Sequence, residues 1–129
     1  MNQIDCPINF NKLTKEYDTK NLTVMYRDTS KTNTFRGCCY GRPRLSKFKE
    51  FGKWLQPPYI ILSIGENEYP YETMDMYKVK FTAQTKEELI LFLFWHEFQH
   101  YLDTKTGIKT KHREISEIAY NKVWKGATK

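Results

Sequence analysis

The clearest pattern of apolar and polar positions lies in the last third of the chain. Thr85-Lys-Glu-Glu88 fits a capping box, in which the Thr hydroxyl and the Glu carboxylate satisfy free backbone donors. The residues from Leu89 to Leu102 then predict a helix that ends near Thr104–Gly107. Its first half is apolar on every face, which predicts burial in the middle of a domain. A last helix is predicted from about Thr110 to Lys125.

Shorter apolar runs predict strands in the first two thirds of the chain. Leu22–Arg27 and Tyr59–Ile64 are rich in β-branched and aromatic residues. Phe35–Tyr40 follows a predicted turn at Asp28–Thr34, which makes it a candidate hairpin partner of the first strand. Met76–Thr82 alternates between apolar and polar residues, as a half-buried strand does.

Length and composition indicate a single folded domain. The chain has 129 residues, of which 40% are hydrophobic and 16% aromatic, so it can form a core and is not of disordered composition. No repeat or linker divides it, and residues 1–129 are interpreted as one domain. The predicted elements favour an α+β fold, with a small mixed or antiparallel sheet packed on the buried helix.

The cysteines and the chain start bear on the compartment. Three cysteines, two of them adjacent at Cys38 and Cys39, predict free thiols, because a bridge between neighbours is strained. The first residues lack the basic and apolar regions of a signal peptide. The longest apolar run, Leu89–Trp95, is far shorter than the roughly 20 residues that span a bilayer. We therefore expect a cytoplasmic protein.

The chemistry is carried by an HExxH motif inside the buried helix. His96 and His100 are one turn apart and project only about 40° from each other, so both can reach one tetrahedral Zn²⁺. Glu97 lies beside them, placed to accept a proton from a metal-bound water. Two histidines and a glutamate in an apolar setting are costly unless something satisfies them. The motif therefore predicts one zinc ion per chain.

A catalytic zinc needs a third protein ligand, which the sequence places after Gly107. Glu114 is the first candidate, since 14 residues after His100 leave room for a turn and a helix reversal. His112 and Glu117 are the alternatives. Asp103 lies on the same helix face as the histidines, where it could hold a ligand imidazole by a hydrogen bond or cap the helix end.

These motifs resemble those of the small zincin-type metallopeptidases. The resemblance covers about residues 57–125 and is closest to minigluzincins and SprT-like domains. In gluzincins the third ligand is a Glu, which falls on Glu114, although Glu117 and Ile118 replace the Ala and Asp that normally follow. In SprT-like domains it is a His, which would favour His112.

Zincin folds also imply an edge strand that binds an extended substrate. Tyr59–Ile64 is the expected strand, with Tyr59, Ile61 and Ser63 along it. The expected function is a zinc-dependent peptidase that hydrolyses peptide bonds with a water activated by Glu97. Tyr101, Tyr120 or His112 are candidates to stabilise the oxyanion.

The charge distribution supports a second hypothesis. The net charge of the chain is +6. Residues 21–60 and residues 105–129 each carry a net positive charge, and residues 61–104 between them carry a net negative charge. The acidic segment contains the HExxH motif, so we expect negative charge around the metal. The basic segment 36–53 interleaves Arg and Lys with aromatic residues, which is typical of nucleic-acid binding. The alternative function is a zinc-containing, non-catalytic or DNA-associated binding module.

Overall fold

A mixed four-stranded sheet packs against one long helix in the computed structural model, which describes residues 1–125. The strands are β1 (Asn2–Ile4), β2 (Thr23–Thr32), β3 (Phe35–Tyr40), β4 (Phe48–Glu50), β5 (Lys53–Leu55), β6 (Tyr59–Glu66), β7 (Tyr71–Met74) and β8 (Lys80–Ala83). The helices are α1 (Phe10–Leu13), α2 (Lys86–Thr106) and α3 (His112–Tyr120), and α3 continues into a π-helical turn at Asn121–Lys125. The predicted α+β class and mixed sheet are confirmed.

The strand order of the main sheet is β1-β2-β6-β3. β1, β2 and β6 are parallel, and β3 pairs antiparallel with β6, with Phe35 opposite Ile64 and Tyr40 opposite Tyr59. β4 with β5, and β7 with β8, form separate two-stranded hairpins. The predicted hairpin between Leu22–Arg27 and Phe35–Tyr40 is therefore wrong, because β6 lies between these two strands.

The strand expected to offer its edge to a substrate lies inside the sheet. β6 is hydrogen-bonded to β2 on one side and to β3 on the other, so Tyr59, Ile61 and Ser63 do not lie on an edge. The physical reason is the continuous apolar run, which is buried on both faces and is typical of a central strand. β3 forms one edge of the sheet instead, and β1 forms the other.

Two other segments differ from their predicted structure. β2 extends to Thr32 through an irregularity between Asp28 and Thr32, so most of the predicted turn is strand. β8 begins only at Lys80, because the preceding residues form a tight turn around Asp75, with Lys78 in the left-handed region at φ 69°. The alternation of Met76–Thr82 thus comes from a turn followed by a short strand.

Helix α2 forms as its sequence signals predict. The Thr85 hydroxyl accepts the Glu88 N–H at 3.3 Å, and the Glu88 carboxylate accepts the backbone N–H of Gln84 at 2.8 Å. Gly107 ends the helix in the left-handed conformation, at φ 74°. The helix is buried on nearly every side, between the sheet, α1 and α3.

The core lies between α2 and the sheet. Phe94 stacks on Phe10 with ring centroids 4.1 Å apart, and Phe92 and Phe98 are fully buried beside it. Each such side chain contributes about 1.5–3 kcal/mol by burial. This packing fixes the rotation of α2 about its axis, and with it the direction in which the HExxH side chains point.

No helix within residues 1–125 combines the length and the apolar character that crossing a membrane requires.

Cys6, Cys38 and Cys39 are free thiols, as predicted, and Cys38 is exposed on the edge strand.

Candidate metal centre

Three imidazoles from two helices converge at one point of the structure. His96 and His100 project from α2, and His112 is the first residue of α3. Their candidate ligand atoms all lie within 4.8 Å of one another. His96 is buried, His100 is half-buried and His112 is exposed, so the group opens toward solvent on the His112 side. These three side chains could hold a metal ion.

The turn between the helices brings His112 into the group. Gly107 reverses the chain, and the buried carboxylate of Asp103 holds the following loop. Asp103 accepts the backbone N–H of Thr110 at 3.0 Å, the Thr110 hydroxyl at 3.1 Å and the Gln99 amide at 2.9 Å. Asp103 makes no hydrogen bond to an imidazole in the described chain. It therefore positions the loop before His112 rather than a ligand ring.

The two glutamates expected as third ligands lie outside the group. Both Glu114 and Glu117 are exposed, and among residues 1–125 the cluster that could bind a metal contains neither. The reason is helical geometry: Glu114 is about 200° around α3 from His112, and Glu117 about 140°. The structure thus brings the alternative His112, and not the first choice Glu114, to the other two imidazoles.

A buried hydroxyl lies behind the first imidazole. The Ser116 Oγ is 3.1 Å from Nδ1 of His96 and donates a 2.5 Å hydrogen bond to the Asp75 carboxylate. With its hydrogen given to Asp75, Ser116 accepts the Nδ1–H of His96. This tautomer leaves Nε2 of His96 with a free lone pair for a metal.

Asp75 and Tyr77 organise the other wall. Asp75 accepts the backbone N–H groups of Tyr77 and Val79, each at 3.0 Å, which closes the turn before β8. The turn lays the Tyr77 ring nearly parallel to His112, with centroids 4.7 Å apart, and to His96, with centroids 5.6 Å apart. Tyr77 thereby supports the exposed imidazole of His112.

Glu97 lies against the backbone of the edge strand. A Cβ atom at Gly37 of β3 would come within 2.8 Å of both Cγ and Oε2 of Glu97. Only a residue without a side chain leaves room for the carboxylate at this position. The contact places the acid–base candidate of the HExxH motif directly beside β3.

Burial sets the protonation of these groups. It lowers the pKa of His96 to about 4, with the neighbouring His100 as the next cause. It also lowers the pKa of His100, with His112 adding to the effect. Burial raises the pKa of Glu97 to about 7. The two helix imidazoles are therefore neutral at physiological pH, which is the form that binds metals.

The donor set fits a tetrahedral metal with one open position. Three imidazoles are a ligand set that zinc and its transition-metal neighbours accept. Ligand atoms of an ideal tetrahedral zinc site lie about 3.4 Å apart. Small rotations of the three rings would bring their nitrogen atoms from within 4.8 Å to this spacing. The acidic segment contributes Asp75 and Glu97, which line the same cleft as His96 and His100. Its other glutamates Glu66, Glu68 and Glu72 line a different cleft, so the expectation of negative charge around the metal does not hold for them.

A cleft of about 790 Å³ leads to the centre and continues around the edge of β3. His96, Glu97 and His100 line this cleft, and so do Arg27, Arg36 and Phe51. Tyr101, one of the proposed oxyanion partners, is buried and donates its hydroxyl hydrogen bond to the backbone of Asp18 at 3.3 Å.

Ser116, Asp75, Tyr77 and Gly37 are the site residues that sequence reasoning missed. Ser116 lies one helical turn after His112, which is the one local signal among them. Asp75, Tyr77 and Gly37 reach the site through tertiary packing. Comparisons with known protein families, with curated proteins and with solved structures find no match to this chain.

Proposed function

We propose that the chain is a zinc-dependent peptidase. The observation that carries this proposal is the placement of Glu97, which lines the same cleft as His96 and His100 and lies against an edge strand at Gly37. A base, a Lewis-acid site and a strand edge are the three parts that hydrolysis of an extended peptide requires.

Glu97 is the catalytic residue of the proposal. Zinc, when bound, would polarise the scissile carbonyl and acidify water. Glu97 takes a proton from the attacking water and passes it to the leaving amine. A pKa of about 7 suits a group that accepts and then donates a proton near neutral pH. His96, His100 and His112 hold the metal, and Ser116 orients His96.

The substrate strand of the proposal is β3 rather than β6. β3 has one edge paired with β6, and the described residues place no strand on its other edge. A peptide can add there by backbone hydrogen bonding, beside Glu97 at Gly37. A third histidine from the following helix favours the SprT-like form of the zincin resemblance over the minigluzincin form, which needs a glutamate.

The test combines metal content with cleavage. Purified wild-type protein should contain about one zinc per chain and cleave an unfolded protein such as denatured casein. Glu97→Gln should keep the zinc and lose the cleavage, because it removes the base but no ligand. Equal cleavage by the wild type and Glu97→Gln would rule out this role for Glu97, and a wild type without bound metal would rule out the zinc site.

A DNA-associated binding module is the second candidate, supported by the hairpin formed by β4 and β5. Its Phe51 and Trp54 are 60% and 65% exposed, and the Lys49 ammonium lies 5.9 Å from the Trp54 ring. Exposed aromatic rings beside cations are typical of single-strand binding. A salt-sensitive gel shift with single-stranded DNA, abolished by Trp54→Ala and Lys49→Gln together, would support this function.

A further inference from the structure

Two arginines and a serine form a row across three strands of the main sheet. Ser63 on β6 is paired with Arg36 on β3 and with Arg27 on β2. Residues paired across adjacent strands point to the same face of a sheet, and neighbouring strands are about 4.8 Å apart. The small side chain of Ser63 therefore lies between two arginines whose backbones are about 10 Å apart.

The cations of this row have no carboxylate partner among residues 1–125. Nε of Arg27 is buried and lacks a hydrogen-bond partner, while the Phe51 ring covers its guanidinium at 3.7 Å. Arg36 is exposed, and Lys31 lies in the same cleft. None of the three forms an ion pair with a carboxylate in residues 1–125. A buried guanidinium nitrogen without a partner is costly, and a bound anion would satisfy it.

The row is part of the cleft that contains the candidate metal centre. Arg36 is adjacent in sequence to Gly37, whose backbone touches Glu97. A peptide added to β3 would point alternate side chains to the two faces of the sheet. One set would face α2 and the imidazoles, and the other set would face the arginine row.

The cleft has few negative charges of its own. Asp75 is buried and bound by Ser116 and by two backbone N–H groups. Glu97 is also buried. The charges that remain accessible to a ligand are therefore those of Arg27, Arg36 and Lys31, which complement an acidic side chain.

We propose that this row is a specificity site for acidic peptides, in which an Asp or Glu side chain of a strand added to β3 binds Arg36, with the charge of Arg27 two strands further along the same face. This inference rests on the proposed peptidase function and names its substrate class. A peptide is favoured over a nucleic acid because Arg36 lies on an edge strand whose free backbone groups match another peptide backbone. Phe51 is the aromatic ring of the cleft that contacts the row, where it covers the Arg27 guanidinium.

The experiment separates binding from cleavage. Three fluorescent octapeptides would be compared, identical except that two alternate positions are Glu, Gln or Lys. Their affinity would be measured on Glu97→Gln protein by anisotropy, and their cleavage on the wild type. We expect the Glu peptide to bind at least 10-fold more tightly than the Gln peptide, with the Lys peptide weakest. We also expect the difference to shrink at high salt.

Substitutions assign the preference to the row. Arg36→Gln, at an exposed position, should reduce the Glu-over-Gln preference at least 5-fold, and Arg27→Gln, two strands further inside the sheet, should reduce it by a smaller factor. Arg42→Gln, an exposed arginine outside the cleft, is the matched control and should leave the preference unchanged.

The outcomes distinguish this inference from the proposed function. Cleavage of all three peptides without preference would overturn the specificity site and leave the peptidase in place. Tight binding of the Glu peptide without cleavage would support the site and count against the peptidase. Binding of a labelled single-stranded oligonucleotide through Arg36, with no peptide preference, would overturn the inference in favour of a nucleic-acid ligand.

Discussion

The hydroxyl of Ser116, on α3, lies 3.1 Å from Nδ1 of His96, on α2, and both groups are buried. The hydrogen bond joins the two helices that carry the three imidazoles. It also sets which nitrogen of His96 faces the other two rings, because Asp75 takes the hydroxyl hydrogen of Ser116.

Ser116→Ala should weaken zinc binding about 10-fold, because groups that orient a ligand imidazole are typically worth 10–100-fold in metal affinity. The measurement is competition with a chromophoric chelator. Ser46→Ala, at an exposed position away from the site, is the control and should bind zinc like the wild type. Equal affinities in all three proteins would show that Ser116 does not orient His96.

His112 should be the third ligand. His112→Ala should lower zinc affinity by more than about 100-fold, because loss of a ligand exceeds the loss of its supporting hydrogen bond. Glu114→Gln and Glu117→Gln, both at exposed positions on the same helix, should keep wild-type affinity. The zinc content of the three variants is measured by metal analysis after dialysis. Loss of zinc in Glu114→Gln alone would show that Glu114, and not His112, is the third ligand.

Gly37→Ala should disturb Glu97 without removing the metal. The added methyl group would come within 2.8 Å of the carboxylate side chain, which has to move. We expect a destabilisation of about 1–3 kcal/mol, as for other overpacked sites, together with a loss of casein cleavage. Urea unfolding and the cleavage assay measure the two effects. Cys38→Ala is the neighbouring control, and an unchanged Gly37→Ala protein would contradict the contact.

The stability of the metal-free protein should depend on Glu97 in the pH range from 4.5 to 7. Burial raises the pKa of Glu97 from its ordinary value of 4.5 to about 7, so the folded state holds a proton that the unfolded state releases. The free energy of unfolding therefore falls as pH rises through this window. Between pH 4.5 and 7, the free energy of unfolding of the wild type should fall by about 2–3 kcal/mol more than that of Glu97→Gln, whose side chain cannot ionise.

Urea unfolding of both proteins with a chelator at several pH values measures this difference. His96 and His100 are common to the two proteins, so their titration largely cancels in the comparison. A difference that stays constant from pH 4.5 to 7 would show that Glu97 ionises in the folded state as it does in water.

Sequence alone determined the parts of this protein whose signals are local. The capping box at Thr85, the buried α2 and its end at Gly107 follow from residues within a few positions of one another. The pairing of His96 and His100, and the place of Glu97 beside them, follow from the period of a helix. The α+β class follows from the elements themselves.

Only the tertiary structure decided what depends on contacts between distant segments. The order of strands made β3, rather than β6, an edge strand, because strand pairing is set by burial of the whole sheet. The rotation of α3 chose His112 over Glu114, because packing of Ile115, Ser116 and Ala119 on α2 turns Glu114 to solvent. Asp75 reaches the site from 21 residues before His96, a distance at which a sequence carries no periodic signal.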